Sequence, residues 1–172
     1  PAVSNWGGTL GLTPVKIFNK GYYNHMEESH ELLVSYGNEK IWDVLAENPR
    51  NRVVVFGEQP EMLRFPCSTQ SYTDIEGSGG NFNLSSSPEA LAEFFTFAGV
   101  DHIYLGSGYL KPGTDGFRNV TGLLKQGYLS DLLYENGNGL AVFSPEPREL
   151  SAEESEALLA EFTEKYWPGE QQ

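Results

Sequence analysis

The residues best suited to chemistry gather in one polar stretch and just beyond it: Asp74, Glu76, Asn81 and Asn83, with Tyr72, Phe82, Tyr104 and Tyr109 near them. Carboxylates and amides on a loop are hard oxygen donors of the kind Ca²⁺ takes, but their spacing departs from the EF-hand loop. Asx-type turns use the same side chains to satisfy local backbone. Aromatic faces beside amides also suit a sugar ring, so Asp74, Glu76, Asn81, Asn83 and Tyr109 form the candidate ligand-binding set. The expected ligand is a carbohydrate or another small polar molecule. Core packing is the commoner fate of such rings.

Other patterns are weaker. Gly77, Ser78, Gly79 and Gly80 could turn backbone N–H groups toward a phosphate, but no Lys-Ser/Thr pair follows them, and Asp74 and Glu76 would repel the anion. His25, Glu28 and His30 fall at i, i+3 and i+5, a spacing that does not bring both imidazoles to one helix face. His102, in a short apolar run, reads as a packed or surface histidine. Cys67 is the sole cysteine, which excludes an internal disulfide and leaves any zinc cage short of thiolates. Ser107 sits between glycines without the G-x-S-x-G elbow of a hydrolase. The reading assigns no catalytic residue, no metal site and no cofactor to this chain.

Two units that position these residues follow one plan: a helix, a tight stop, then a short strand. The first runs from Asn38 through Ile41, Val44 and Leu45 to Pro49, which ends the helix ahead of the strand Arg52 to Phe56. In the second, Ser87 is the N-cap, Pro88 suits the first helical position, and Leu91, Phe94, Phe95 and Ala98 make one stripe. Gly99 stops that helix, with Val100 packing back, ahead of the strand Asp101 to Leu105. The helical stripe is expected against Val53, Val55, Ile103 and Leu105.

Residues 1–37 read as irregular, with a strand at Val15 to Phe18 and a short helix from His25 to Val34. Residues 57–86 read as a long loop holding one short strand at Met62 to Phe65. Phe117, Val120, Leu123 and Leu124 outline a third helix ended by Gly127. Leu132 to Tyr134 and Leu140 to Phe143 flank Asn136-Gly137, a primed-turn pair, and so predict a β-hairpin. Pro145 and Pro147 mark a boundary. Ser151 and Glu154 form a capping box ahead of Leu158, Leu159, Phe162 and Tyr166 on a last helix over 148–168.

The predicted architecture is one α/β domain over 1–172, with its core in 38–143. A mixed, mostly parallel sheet of four or five strands carries flanking helices and a C-terminal β-hairpin in a Rossmann-like layered arrangement. The 172 residues suffice for a core without staples. A formal net charge of −13, from 11 basic and 24 acidic residues, argues against nucleic acid as a partner. No apolar run approaches the roughly 20 residues that cross a bilayer. Pro1 either followed a removed methionine or marks where a longer protein was cut.

Three stretches carry a family resemblance: Ile41 to Pro49 (IWDVLAENP), Arg52 to Phe56 (RVVVF) and Ala98 to Leu105 (AGVDHIYL). Together they resemble the soluble extracytoplasmic region of large polytopic membrane proteins, notably GT-C glycosyltransferases that use lipid-linked sugars. In those proteins an x-x-L-x-E-N-x-P helix feeds a strand, and a later G-[VI]-[DR]-Y-[IV] strand follows a helix. Here Asp101 and His102 stand where the second pattern has a charged residue and Tyr, and the Tyr134 to Asn138 segment is similar to the closing hairpin. The resemblance implies an accessory domain on the extracytoplasmic face of the membrane, as part of a longer chain. Its partners would be the membrane-embedded remainder of that chain and a glycan or lipid-linked sugar. The family's catalytic acid lies between early transmembrane helices, so the resemblance transfers no catalytic residue to any position here. A free-standing domain that binds a carbohydrate or small polar ligand through the 72–83 and 106–116 loops is the alternative; in a third reading, Asp74, Glu76, Asp101 or His102 converge in space as a small enzyme's site.

Overall fold

A computed structural model of the chain describes residues 37–57, 63, 65–77 and 84–167. In chain order the elements are α1 (Glu39–Ala46), β1 (Arg52–Phe56), β2 (Ser68–Ser71), α2 (Tyr72–Gly77), α3 (Pro88–Ala98), β3 (His102–Leu105), α4 (Asp115–Lys125), β4 (Leu129–Glu135), β5 (Asn138–Phe143) and α5 (Ala152–Tyr166). The fold is α/β: a mixed five-stranded sheet in the order β2-β1-β3-β5-β4, flanked by helices. β1 pairs in parallel with β2 and β3, whereas β5 is antiparallel to both β3 and β4. Four strands therefore point one way and β5 alone points back.

Side chains on adjacent strand positions face opposite ways, so β1 feeds two cores. Val54 and Phe56 join Ile103, Leu105 and Ala141 beneath Leu91 and Phe95 of α3, Val120 and Leu123 of α4 and Phe162 of α5. Val53 and Val55 turn to the other face, with Ile41 and Leu45 of α1, Phe65, Tyr104 and Leu140. This corrects the expectation that Val53 and Val55 lie beneath the α3 stripe. The register aligns Val54 with Ile103 and Phe56 with Leu105, and registered partners share a face. Val44 is also not part of the buried stripe of α1, where Ile41 and Leu45, one turn apart, are fully buried.

Capping sets the helix boundaries. The Ser87 hydroxyl accepts from the Ala90 N–H at 3.2 Å, Gly99 takes the left-handed conformation at φ 64°, and the Val100 N–H returns to the Phe95 carbonyl at 2.9 Å. The Ser151 and Glu154 capping box is fully formed at the start of α5. Asn38 makes no side-chain cap on α1. A carboxylate distant in sequence does so instead: Glu135 Oε2 accepts from the Lys40 and Ile41 N–H groups at 2.9 and 3.2 Å. β4 and β5 meet at Asn136 and Gly137, both at positive φ, and Asp131 at φ 47° marks a bulge between Ser130 and Leu133.

The long loop over 57–86 is more structured than its composition predicts, since it contains both β2 and α2. β2 reads Ser-Thr-Gln-Ser, an edge strand without an apolar alternation to betray it. No strand forms at Leu63 or Phe65, while Met62 and Arg64 lie outside the described residues. The predicted strand at Val15 to Phe18, the helix from His25 to Val34 and the His25, Glu28, His30 cluster lie outside them as well. No helix among the described residues is long and apolar enough to cross a membrane.

Candidate functional site

The sheet topology opens a crevice where the parallel strands end. The chain leaves β1 toward β2 at one edge, and leaves β3 toward α4 and then β4 at the other edge. Connections that diverge from neighbouring parallel strands leave a gap at their carboxyl ends, where ligands collect in open α/β sheets. The Gly106 N–H closes the β1–β3 ladder onto the Phe56 carbonyl at 2.8 Å. Beyond it the segment turns sharply: the Tyr109 N–H reaches back to the Gly106 carbonyl at 3.1 Å, and the Tyr166 hydroxyl of α5 donates to that same carbonyl. Asn138 of β5 steadies the loop from the other side, its Oδ1 accepting the Ser107 N–H at 2.9 Å.

Beside this loop lies a recess of about 240 Å³ lined by Tyr72, Glu76, Tyr109, Leu110, Thr114 and Gly116. Its rings are held in place. Tyr72 stacks on Phe56 with centroids 4.2 Å apart, and its hydroxyl accepts from Asn119 Nδ2 at 3.0 Å. Asn119 is fully buried on α4, and its amide also donates to the Ser85 carbonyl at 2.8 Å. Burial raises the Tyr72 phenol above its ordinary pKa and the Glu76 carboxylate adds to this, while the Asn119 hydrogen bond works against it. Tyr72 is thus a neutral phenol at physiological pH. The Tyr109 hydroxyl is 2.8 Å from Thr73 Oγ1, which fixes the half-buried ring at the rim.

The Thr114 hydroxyl caps α4, accepting the Phe117 N–H at 3.3 Å and donating to the Lys111 carbonyl at 2.7 Å. Both of those bonds go to the protein, so Thr114 acts mainly as a wall. Asp115, in the first turn of α4, is paired with Arg118 at 2.6 Å. Chemically the recess offers an aromatic ring from Tyr109, a carboxylate acceptor from Glu76 and apolar surface from Leu110.

Of the residues singled out in the sequence, Glu76 and Tyr109 come together here. Asp74 is exposed on α2 and does not line the recess, because residues two apart on a helix do not face the same way. Asn81, Asn83, Phe82 and the 78–80 part of the glycine run lie outside the described residues. Leu110, Thr114 and Gly116 fall within the 106–116 segment that the sequence offers as a ligand loop, although none of the three is singled out there individually. The threonine had a usable signal, an N-cap type followed by an acid in the first turn of an apolar-periodic segment.

The remaining candidates do not line this recess. His102 is half-buried, and burial lowers its pKa with Asp101 partly opposing. The Cys67 thiol is pushed up to about 11 by burial and by the Asp101 charge, the reverse of what activates a cysteine nucleophile. Ser107 is exposed on its loop. Among the described residues no group of three His, Cys, Asp or Glu side chains is placed to hold a metal ion. No known protein family matches the chain, and neither a curated protein nor a solved structure is similar to it.

Proposed function

We propose that this chain is a non-catalytic accessory domain of a membrane-anchored protein, a glycosyltransferase that uses lipid-linked sugars, and that it holds a carbohydrate in the recess between α2, α4 and the loop after β3. The domain then stands on the extracytoplasmic face and serves the membrane-embedded remainder of the same protein by positioning an acceptor. We read the parallel half of the sheet as Rossmann-like and the β4–β5 pair as the closing hairpin of that family pattern.

The observation that carries the reading is the meeting of Tyr109 and Glu76 in one preorganised recess. A tyrosine fixed through its hydroxyl presents a ring to the apolar face of a sugar, and a neighbouring carboxylate accepts sugar hydroxyls. The volume of about 240 Å³ lies below the roughly 300–1,000 Å³ of pockets for drug-sized ligands, which favours a single ring over a long glycan. The acidic surroundings, with a chain charge of −13, favour a neutral sugar over a phosphorylated one.

Glycan-array binding by the purified chain tests the ligand. Binding that is weakened roughly two- to tenfold by Tyr109→Ala supports it, since an aromatic contact contributes about 0.5–1.5 kcal/mol. Binding indifferent to Tyr109→Ala and Glu76→Ala removes the recess from consideration. Reading the complete open reading frame tests the anchoring. A free-standing domain that binds a carbohydrate or small polar ligand is the second reading, favoured by a recess whose described lining lies within residues 72–116 of this one domain. An open reading frame without flanking hydrophobic spans selects it.

A further inference from the structure

The opposite end of the sheet carries a second surface. β2 is an outer strand that pairs only with β1 among the described residues, leaving one row of backbone N–H and C=O groups without a ladder partner. Its residues Ser68, Thr69 and Gln70 are exposed. Beside it, a groove of about 350 Å³ runs beneath the last turn of α3, where Phe97 is 89% exposed. An exposed large ring beside an open strand edge is a surface that proteins ordinarily cover or charge.

We propose that this face joins two copies of the chain, β2 pairing antiparallel with β2 of a second copy across a two-fold axis. Charge leaves this patch open to a second copy, and the shape of the patch favours one. The chain carries −13, so two copies repel wherever acidic surfaces meet. The groove lining contains no aspartate or glutamate, and its one ionisable residue is Arg52. An isologous contact needs a self-complementary patch, and here the protruding Phe97 and the recessed Val54 and Val100 belong to one patch. Each Phe97 leaves water against the groove of the other copy, and the two five-stranded sheets become continuous.

Sedimentation equilibrium of the full chain over a concentration series, at low and high salt, tests this. The expected result is a monomer–dimer equilibrium that tightens with salt, because screening weakens the repulsion between the two acidic bodies. Phe97→Asp is expected to raise the dissociation constant tenfold or more, as loss of a central aromatic anchor does, with an unchanged melting temperature for the monomer. Gln70→Glu should weaken association at low salt and recover at high salt. A monomer under every condition overturns the proposal, as does a dimer that ignores both substitutions. Capture of an unrelated extended peptide by a chain that does not self-associate overturns it too, by assigning the edge to a different partner.

Discussion

Glu135 ties the end of β4 to the start of α1 through a single side chain. Its carboxylate accepts from two N–H groups in the first turn of α1, and the sequence separation of 95 residues for the Lys40 contact hides this role from any local pattern. Glu135→Ala is expected to lower stability by about 1 kcal/mol, the usual loss when a helix cap is removed, and Glu135→Gln, which keeps an acceptor oxygen, by less. Urea unfolding with an unchanged m-value checks the pair; equal stability of the wild type and Glu135→Ala would show that water replaces the cap. Asn38, which directly precedes α1, accepts from the Tyr104 hydroxyl at 3.4 Å across the second core. Cys67 offers a separate residue-scale test. With its pKa at about 11, alkylation of the folded chain should climb through pH 10 to 12, about two units later than for an unfolded control near 9.0. Coincident profiles would show that the thiol is not withdrawn from water.

At the scale of elements, α3 and α4 approach closely where Gly122 faces Pro88. A Cβ at position 122 would overlap the proline ring, so Gly122→Ala sets a helix-propensity gain of about 1 kcal/mol against overpacking that typically costs about 1–3 kcal/mol. Net destabilisation in thermal or chemical unfolding is the expected outcome, and a stabilised variant would mean that the helices separate easily. The helices themselves were legible because capping and 3.6-residue periodicity are local: Ser87, Pro88 and Gly99 bound α3, and Ser151 with Glu154 starts α5. Facing was not legible. β1 reads Arg-Val-Val-Val-Phe, apolar at four consecutive positions, so nothing in it distinguishes the two sides until parallel register with β3 pairs Val54 with Ile103. β2 was invisible for the opposite reason: its small polar residues look like loop, and pairing with β1 rather than intrinsic preference makes it a strand, while α2 has only Tyr72 and Ile75 as apolar residues in a six-residue helix ahead of a glycine run.

For the whole molecule, two shifted groups set a stability window. His102 has a folded pKa below its ordinary 6.5, so below that pH the unfolded chain takes up a proton that the folded chain resists, and stability falls as the solution is acidified. Cys67 has a folded pKa raised above its ordinary 9.0. Its contribution is fully present below 9 and is lost as pH rises from 9 toward about 11. A plateau between about pH 6.5 and 9 is expected in melting temperature, with His102→Gln flattening the shoulder just below 6.5; an unaltered acid limb would assign it to carboxylates. The candidate site belongs to this scale as well. Glu76 and Tyr109 were visible as residue types, but only the divergence of connections from β1 and β3 brings α2 and the Tyr109 loop around one recess. The β4–β5 turn grips in two directions. Glu135 and Asn136 hold the backbone at Gly37, Lys40 and Ile41, while Asn138 holds Ser107 at the rim of the crevice. A displacement of the first turn of α1 is therefore felt at the β4–β5 turn, which lies one hydrogen bond from the loop bearing Tyr109, so the seating of α1 and the shape of the ligand recess are mechanically coupled.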